Sequence, residues 1–343
     1  GQAIHYEHDE LGQLAAIVVP NGEKISFTYD RKGRQETVAY PNGITGSWEY
    51  NTEGRITRIK YEDKKGKVLS SVSYLLDKAG NINERRDESG EVVLYKYDET
   101  GQLLEESSPD ATTNYRYGPG GNRIEVQKGK DVEKYRHDAG DRLVAAGGEK
   151  FNYDSKGNRV LRQAKNQTEY TYDVENRLIK VMSSNGTEIE YSYDTNGNRV
   201  WRKDEKGVTH FLYDKYDLIQ ELDENLYSQS TYIYAPGIDK PLAMIRGEKY
   251  YYYHTDHLGS VRYITDDKGK VAAQYKYDAF GNFQVLKGSV SNPFTFTARE
   301  FDASVNLYYY RNRYFDPKTG RFLSLDPIPS EIDKPLDQNP YLY

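Results

Sequence analysis

The sequence predicts an all-β protein, an array of antiparallel β-hairpins, and three observations predict it. Of 343 residues, 34 are tyrosine, against 10 Phe and 2 Trp. The tyrosines recur in one pattern, aromatic-x-aromatic-Asp/Asn-x-x-Gly/Asn/Asp, at a mean spacing of about 21 residues, the length of one unit that buries its face by stacking on its neighbours. No helical periodicity exceeds about two turns; only Arg202 to Gly207 and the segment after Ser330 have room for a short helix.

Each element of the unit follows from its residues. Aromatics at alternate positions, as in Tyr170 and Tyr172, point to one face of an extended strand. The next residue, Asp30, Asp98, Asp154, Asp173, Asp194 or Asp278 in the clean copies, is expected to cap a turn by accepting from backbone N–H groups. Three residues later Gly33, Gly101, Gly157, Gly197 and Gly281 supply the left-handed backbone that the turn needs. Alternating residues such as Asn158-Arg159-Val160 then open the second strand. The return turn is often Asn-Gly, at Asn21-Gly22, Asn42-Gly43 and Asn185-Gly186. Gly54 and Asn176 anchor two more clean copies, and degenerate copies place further anchors at Gly12, Gly80, Gly121, Asp141, Asp217, Ile238 and His257. Fourteen hairpins imply about 28 strands. Tyr in place of Leu implies a semi-polar inner face with hydroxyl partners; Gln13, Arg34, Asn81, Asn122, Asn158 and Asn198, beside the anchors, are the expected ones.

Composition excludes several classes. With no cysteine there is no disulfide scaffold and no thiolate zinc site. The aromatic content argues against disorder. The longest aliphatic run, Leu14 to Val19, stops at Pro20, so no membrane span is expected. A net charge of −6 argues against nucleic acid as partner. Gly1-Gln2-Ala3 does not open a signal peptide, and the chain is read as a fragment whose targeting signal lies elsewhere.

The repeat resembles the YD repeat of Rhs proteins, of insecticidal toxin-complex C components and of teneurins. Tyr251 to Arg262 followed by Tyr275 to Asn282 is similar to the segment before the Rhs-associated core. Phe296 to Asp302, then Leu307 to Pro327, is similar to the core itself. The resemblance implies a β-hairpin repeat array over residues 1–285, spiralling around a hollow interior, and a truncated core over 286–343 that plugs one end. It implies a bacterial shell that encloses a C-terminal toxin domain, and a core that releases the toxin by aspartyl autoproteolysis. On that pattern Arg313 and Asp326 match the arginine and first aspartate of the machinery. Two carboxylates sharing a proton can activate water, and an arginine can orient one of them. Three departures stand out: Pro329 after Ile328 where a Gly is usual, Asn306 where a Gly is common, and an end at Tyr343 before a second aspartate. The chain as given is therefore not expected to cleave itself or to be an enzyme.

Other constellations carry bland readings. Asp316-Pro317 reads as a turn cap. His254, Asp256 and His257 read as a divergent repeat turn rather than a metal site. Asp194 to Asn198 lacks the twelfth-position Glu of a calcium loop. The Asp/Glu pairs belong to the repeat and do not form a glycosidase pair. The sequons at Asn166 and Asn185 are chance matches, and the mixed-charge runs Lys60–Lys67 and Lys128–Lys134 are solvated faces. No metal and no cofactor is expected. Three functions compete: a secreted or cell-surface container, with its toxin and a delivery component as partners; a module whose Tyr face grips carbohydrate or a receptor; and a free-standing enzyme, disfavoured because no constellation outside the core stands out. Enclosed tyrosines favour the first and an open aromatic groove the second.

Overall fold

A computed structural model describes residues 3–288, 290–328 and 339–343. The possible helix after Ser330 lies outside the described residues, as does Pro329, while Arg202–Gly207 is strand and turn. Twenty-eight strands, from β1 (His5–His8) to β28 (Phe283–Gly288), form one antiparallel sheet in which consecutive strands pair. The sheet does not close into a barrel. A second, four-stranded sheet follows: β29 (Glu300–Asp302), β30 (Leu307–Tyr310), β31 (Arg313–Asp316) and β32 (Arg321–Phe322).

The turns explain the spacing. In the six clean copies that carry Asp its Oδ1 accepts the backbone N–H groups two and four residues on, at 2.8–3.0 Å. Gly33, Gly101, Gly157, Gly197 and Gly281 hold φ between +76° and +86°, where a β-carbon is strained. Three expected anchors are displaced. At 257 the turn is capped by Asp256 and the left-handed residue is Gly259, two positions later. Near 217 the strands join through a tighter turn, with Asp214 opposite Asp217 and Lys215 left-handed. Near 238 the left-handed residues are Gly237 and Asp239.

The tyrosine hydroxyls do not use the side chains beside the anchors. At the second aromatic of six units they donate to backbone carbonyls: Tyr29 to Leu14, Tyr50 to Gln35, Tyr97 to Ile82, Tyr193 to Leu178, Tyr234 to Leu218 and Tyr277 to Val261, at 2.6–3.0 Å. Each acceptor lies two residues beyond the last ladder pair between its strand and the next, as Leu14 lies beyond Ala16–Ser26. The strands splay there, and the phenol satisfies a carbonyl the ladder abandons. The side chains expected as partners turn back to their own turn instead: Asn81, Asn158 and Asn198 to Asp77, Asp154 and Asp194, and Arg34 to Asp30.

The sheet wraps far enough to pack on itself. In β23 (Ser228–Tyr234), β24 (Pro241–Arg246) and β25 (Lys249–Thr255) both faces are buried. One face, Ile233, Ala243, Ile245 and Tyr252, meets Ile17, Ile25, Phe27 and Val38 of the first hairpins. The other, Tyr232, Met244 and Tyr253, meets Phe294, Tyr308 and Phe315 of the C-terminal segment. Across this overlap the Tyr40 hydroxyl donates to the Tyr253 carbonyl, and Arg262 and Lys276 pair with Glu88 and Glu91. His254, in β25 rather than a turn, sits between Tyr40 and Tyr61.

Candidate functional site

The four-stranded sheet is a plug seated on the inner rim of the large one, and the anchors receive it. Tyr341, Tyr309 and Tyr308 hydroxyls donate to the carbonyls of Gly157, Gly197 and Gly281 at 2.8, 3.1 and 2.7 Å. Two residues after an anchor, buried arginines reach into the plug. Arg159 pairs with Asp316 at 2.9 Å and Arg199 with Glu300 at 2.6 Å. Arg123 donates to the Thr319 carbonyl at 2.6 Å and lies over the rings of Tyr135 and Phe280. Asp316 is therefore an ion-pair partner as well as a cap, since it also accepts from Lys318 N–H and the Thr319 hydroxyl.

Residue reasoning missed these arginines. The signal was present as an alternation: Arg123, Arg159 and Arg199 follow Gly-Asn, while Leu143, Leu178 and Leu218 hold the same position in the intervening hairpins. All six side chains are buried.

Arg313, at the start of β31, and Asp326, past the end of β32, come together. Their side chains pair at 2.7 Å, half-sheltered. The Arg313 guanidinium lies 3.6 Å from the Phe322 ring centroid. Burial holds the Arg313 pKa below the ordinary arginine value, against the opposing pull of Asp326. Both residues also grip one carbonyl: Arg313 Nη1 donates to Pro340 O at 3.2 Å and the Asp326 backbone N–H at 3.0 Å. The Asp326 Oδ1 accepts from Ile328 N–H at 2.9 Å.

The pair opens on a cavity of about 1030 Å³ between plug and shell. Tyr74, Tyr95, Tyr97 and Tyr343 line it, with Asp256, His257 and Asp278. Burial and the charge of Asp278 raise the pKa of nearby Glu106, and burial raises that of Asp278. Burial lowers that of His257. Of the remaining turn residues, Asp30 and Gly33 lie away from this wall in the first hairpins, and Gly101 lines the cavity. Among the described residues no group of three His, Cys, Asp or Glu converges as a metal site, and His254 and His257 face different neighbours, Tyr61 and Tyr74.

The model of the Teneurin YD-shell family matches residues 64–343, and that of the RHS repeat residues 8–45. The chain belongs to the YD-shell family. Among its relatives, the tRNA3(Ser)-specific nuclease WapA of Bacillus spizizenii is 32% identical over 259 residues, covering 72% of this shell chain and 11% of that protein. Toxin protein Tse5 of Pseudomonas aeruginosa is 25% identical over 309 residues, covering 75% and 23%. The structure of the Photorhabdus luminescens Tc holotoxin pore aligns with a TM-score of 0.81 at 18% identity, over 99% of this shell and 19% of that chain, which shows a shared fold. The shell thus spans about a tenth to a quarter of the relatives it matches, and the nuclease activity in their names is theirs. No helix among the described residues is long and apolar enough to cross a membrane.

Proposed function

We infer that this chain is the closing part of the shell of a larger secreted toxin, and that it encloses chain from that protein's C-terminal toxin domain. The carrying observation is the direction of the aromatic face. Its rungs are covered by the sheet's own overlap, by the plug, or by the cavity wall that also holds Arg313, Asp326 and Tyr343. The exposed Tyr216 and Tyr227 lie in separate loops rather than side by side in one groove, the arrangement a carbohydrate- or receptor-binding face would use. Size limits the reading. A cavity of about 1030 Å³ matches a small-molecule pocket, about 300–1,000 Å³. It receives a short stretch of extended chain, and further repeats of the longer protein are needed to surround a domain.

In this reading Arg313 and Asp326 are half of an aspartyl autoprotease. Arg313 orients the Asp326 carboxylate through their 2.7 Å pair, and a second carboxylate from downstream chain completes the site. Export and a delivery component follow from the same reading. The test is mass spectrometry of the purified full-length protein, wild type and Asp326→Asn. The expected result is a released C-terminal fragment that stays shielded from added protease in the wild type, and an intact chain in the variant. Equal cleavage in both would overturn the role of Asp326, and rapid digestion of the fragment inside an intact shell would overturn enclosure.

A further inference from the structure

The Arg313–Asp326 site is assembled from three separate stretches of chain: β31, residues 323–326, and 339–341. One shell turn touches all three. It joins β15 (Glu149–Tyr153) to β16 (Arg159–Gln163). The Arg159 guanidinium binds Asp316, at the far end of the strand that begins with Arg313, at 2.9 Å. The Arg159 backbone N–H donates to the Leu323 carbonyl at 2.8 Å, three residues before Asp326. The Gly157 carbonyl accepts the Tyr341 hydroxyl at 2.8 Å, next to the gripped Pro340. A β-carbon at Gly157 would lie 2.7 Å from that hydroxyl and 2.9 Å from Leu325. Arg159 is fully buried, and its planar fork also lies over the Phe151 ring at 4.5 Å.

We propose that the Gly157–Arg159 turn is the positioning element of the Arg313–Asp326 site, so that cleavage waits for the plug to dock on this hairpin. The inference rests on the autoproteolytic reading. It adds that the plug alone is not competent: β31, Asp326 and Pro340 hold their mutual geometry because a shell residue more than 150 positions earlier ties them together. A misplacement of about 1 Å can cost roughly 100-fold in rate, and losing one of three ties is enough for that. Release of the cargo would then be licensed by completion of its container.

The experiment follows cleavage of the full-length protein after dilution from denaturant, across pH, for the wild type, Arg159→Ala, Arg159→Lys, Gly157→Ala and Asp326→Asn. Hydrogen exchange at the amides of Leu323, Asp326 and Tyr341 is read in parallel. The expected result for Arg159→Ala is a cleavage rate reduced at least 100-fold, a displaced pH profile and faster exchange at all three amides, with β-sheet content unchanged. Millimolar guanidinium should restore part of the rate, and Arg159→Lys should fall between. Gly157→Ala should release the Tyr341 amide first. Wild-type rate and pH profile in Arg159→Ala, with Asp326→Asn inactive, would sink the proposal while leaving the autoproteolytic reading intact. Cleavage unaffected by Asp326→Asn would sink that reading instead. The exchange data then decide alone, and unchanged protection at the three amides in Arg159→Ala overturns the proposal. Should Arg159→Ala fail to fold, Gly157→Ala and Arg159→Lys carry the same comparison.

Discussion

Tyr234→Phe and Tyr277→Phe should each destabilise the shell by about 1–3 kcal/mol, the cost of leaving a buried backbone acceptor without a partner. The rings stay and only an oxygen leaves, so no cavity term enters. The hydroxyls donate to Leu218 and Val261 at 2.9 and 2.7 Å in buried surroundings. Both acceptors lie past the end of their ladders, at Gln220–Thr231 and Tyr263–Gln274. The two ties lie in different hairpins and share no partner, so their effects should add in the double variant to about 2–6 kcal/mol. Tyr216→Phe is the control. Its side chain is 56% exposed, and an exposed substitution of this kind stays within about 0.5 kcal/mol. The assay is urea unfolding followed by far-UV circular dichroism, read as midpoint shifts at constant slope. If the buried variants track Tyr216→Phe, the phenols are wall material and their hydroxyl contacts carry no stability.

Two further outcomes follow from single contacts. Glu300→Gln leaves Arg199 buried without its carboxylate, and breaking such a pair costs about 3–5 kcal/mol; the Tyr213 hydroxyl loses its carboxylate acceptor as well. Protease should then cut the plug between β29 and β32 before it cuts the large sheet, and uniform digestion of both would count against a docked plug. His254 is fully buried, with its pKa pushed down to about 3. Between about pH 6.5 and 3 the unfolded chain therefore binds a proton that the folded chain refuses, so stability falls as pH drops through that window. His254→Phe should flatten that part of the stability curve measured by thermal unfolding, and an unchanged pH slope would show that His254 accepts its proton in the fold.

What was legible in the sequence was whatever repeats. Alternating aromatics, the capping Asp and the left-handed Gly at three residues' distance are local chemistry, and eleven of fourteen anchors hold positive φ where they were expected. The misplaced anchors lie where a copy changes length: the two-residue turn at Lys215-Tyr216, the Ala235–Lys240 loop and the late Gly259. Long-range relations stayed hidden. Nothing local in Tyr29 says that its hydroxyl crosses to Leu14, because that bond depends on where the ladder stops. The overlap of the first hairpins on β23–β25 depends on accumulated sheet twist, which no single repeat encodes. Arg313 and Asp326 were legible only by resemblance, as a pattern of residues. Their shared grip on Pro340 and their dependence on Arg159 are properties of the docked plug.

The alternation of arginine and leucine after the anchors bears on how a uniform array recognises one particular plug. Hairpins with the same backbone offer the same carbonyls and the same aromatic rungs, so hydrogen bonds from Tyr308, Tyr309 and Tyr341 alone would fit several registers. Arginine at every second hairpin removes that freedom. Each cation loses its water when the plug seats, and the loss is offset only where Asp316, Glu300 or, for Arg123, the Thr319 carbonyl arrives opposite it. Shifted by one hairpin, the plug would set Asp316 and Glu300 against Leu178 and Leu218, and the arginines against nothing. Such a mismatch costs several kcal/mol per site, while the correct docking gains little from each pair beyond a hydrophobic substitute. The arginines therefore contribute register more than affinity. Replacing Arg159 and Asp316 together by apolar residues should keep the plug bound while loosening its placement, which separates specificity from stability in a way that neither single substitution can.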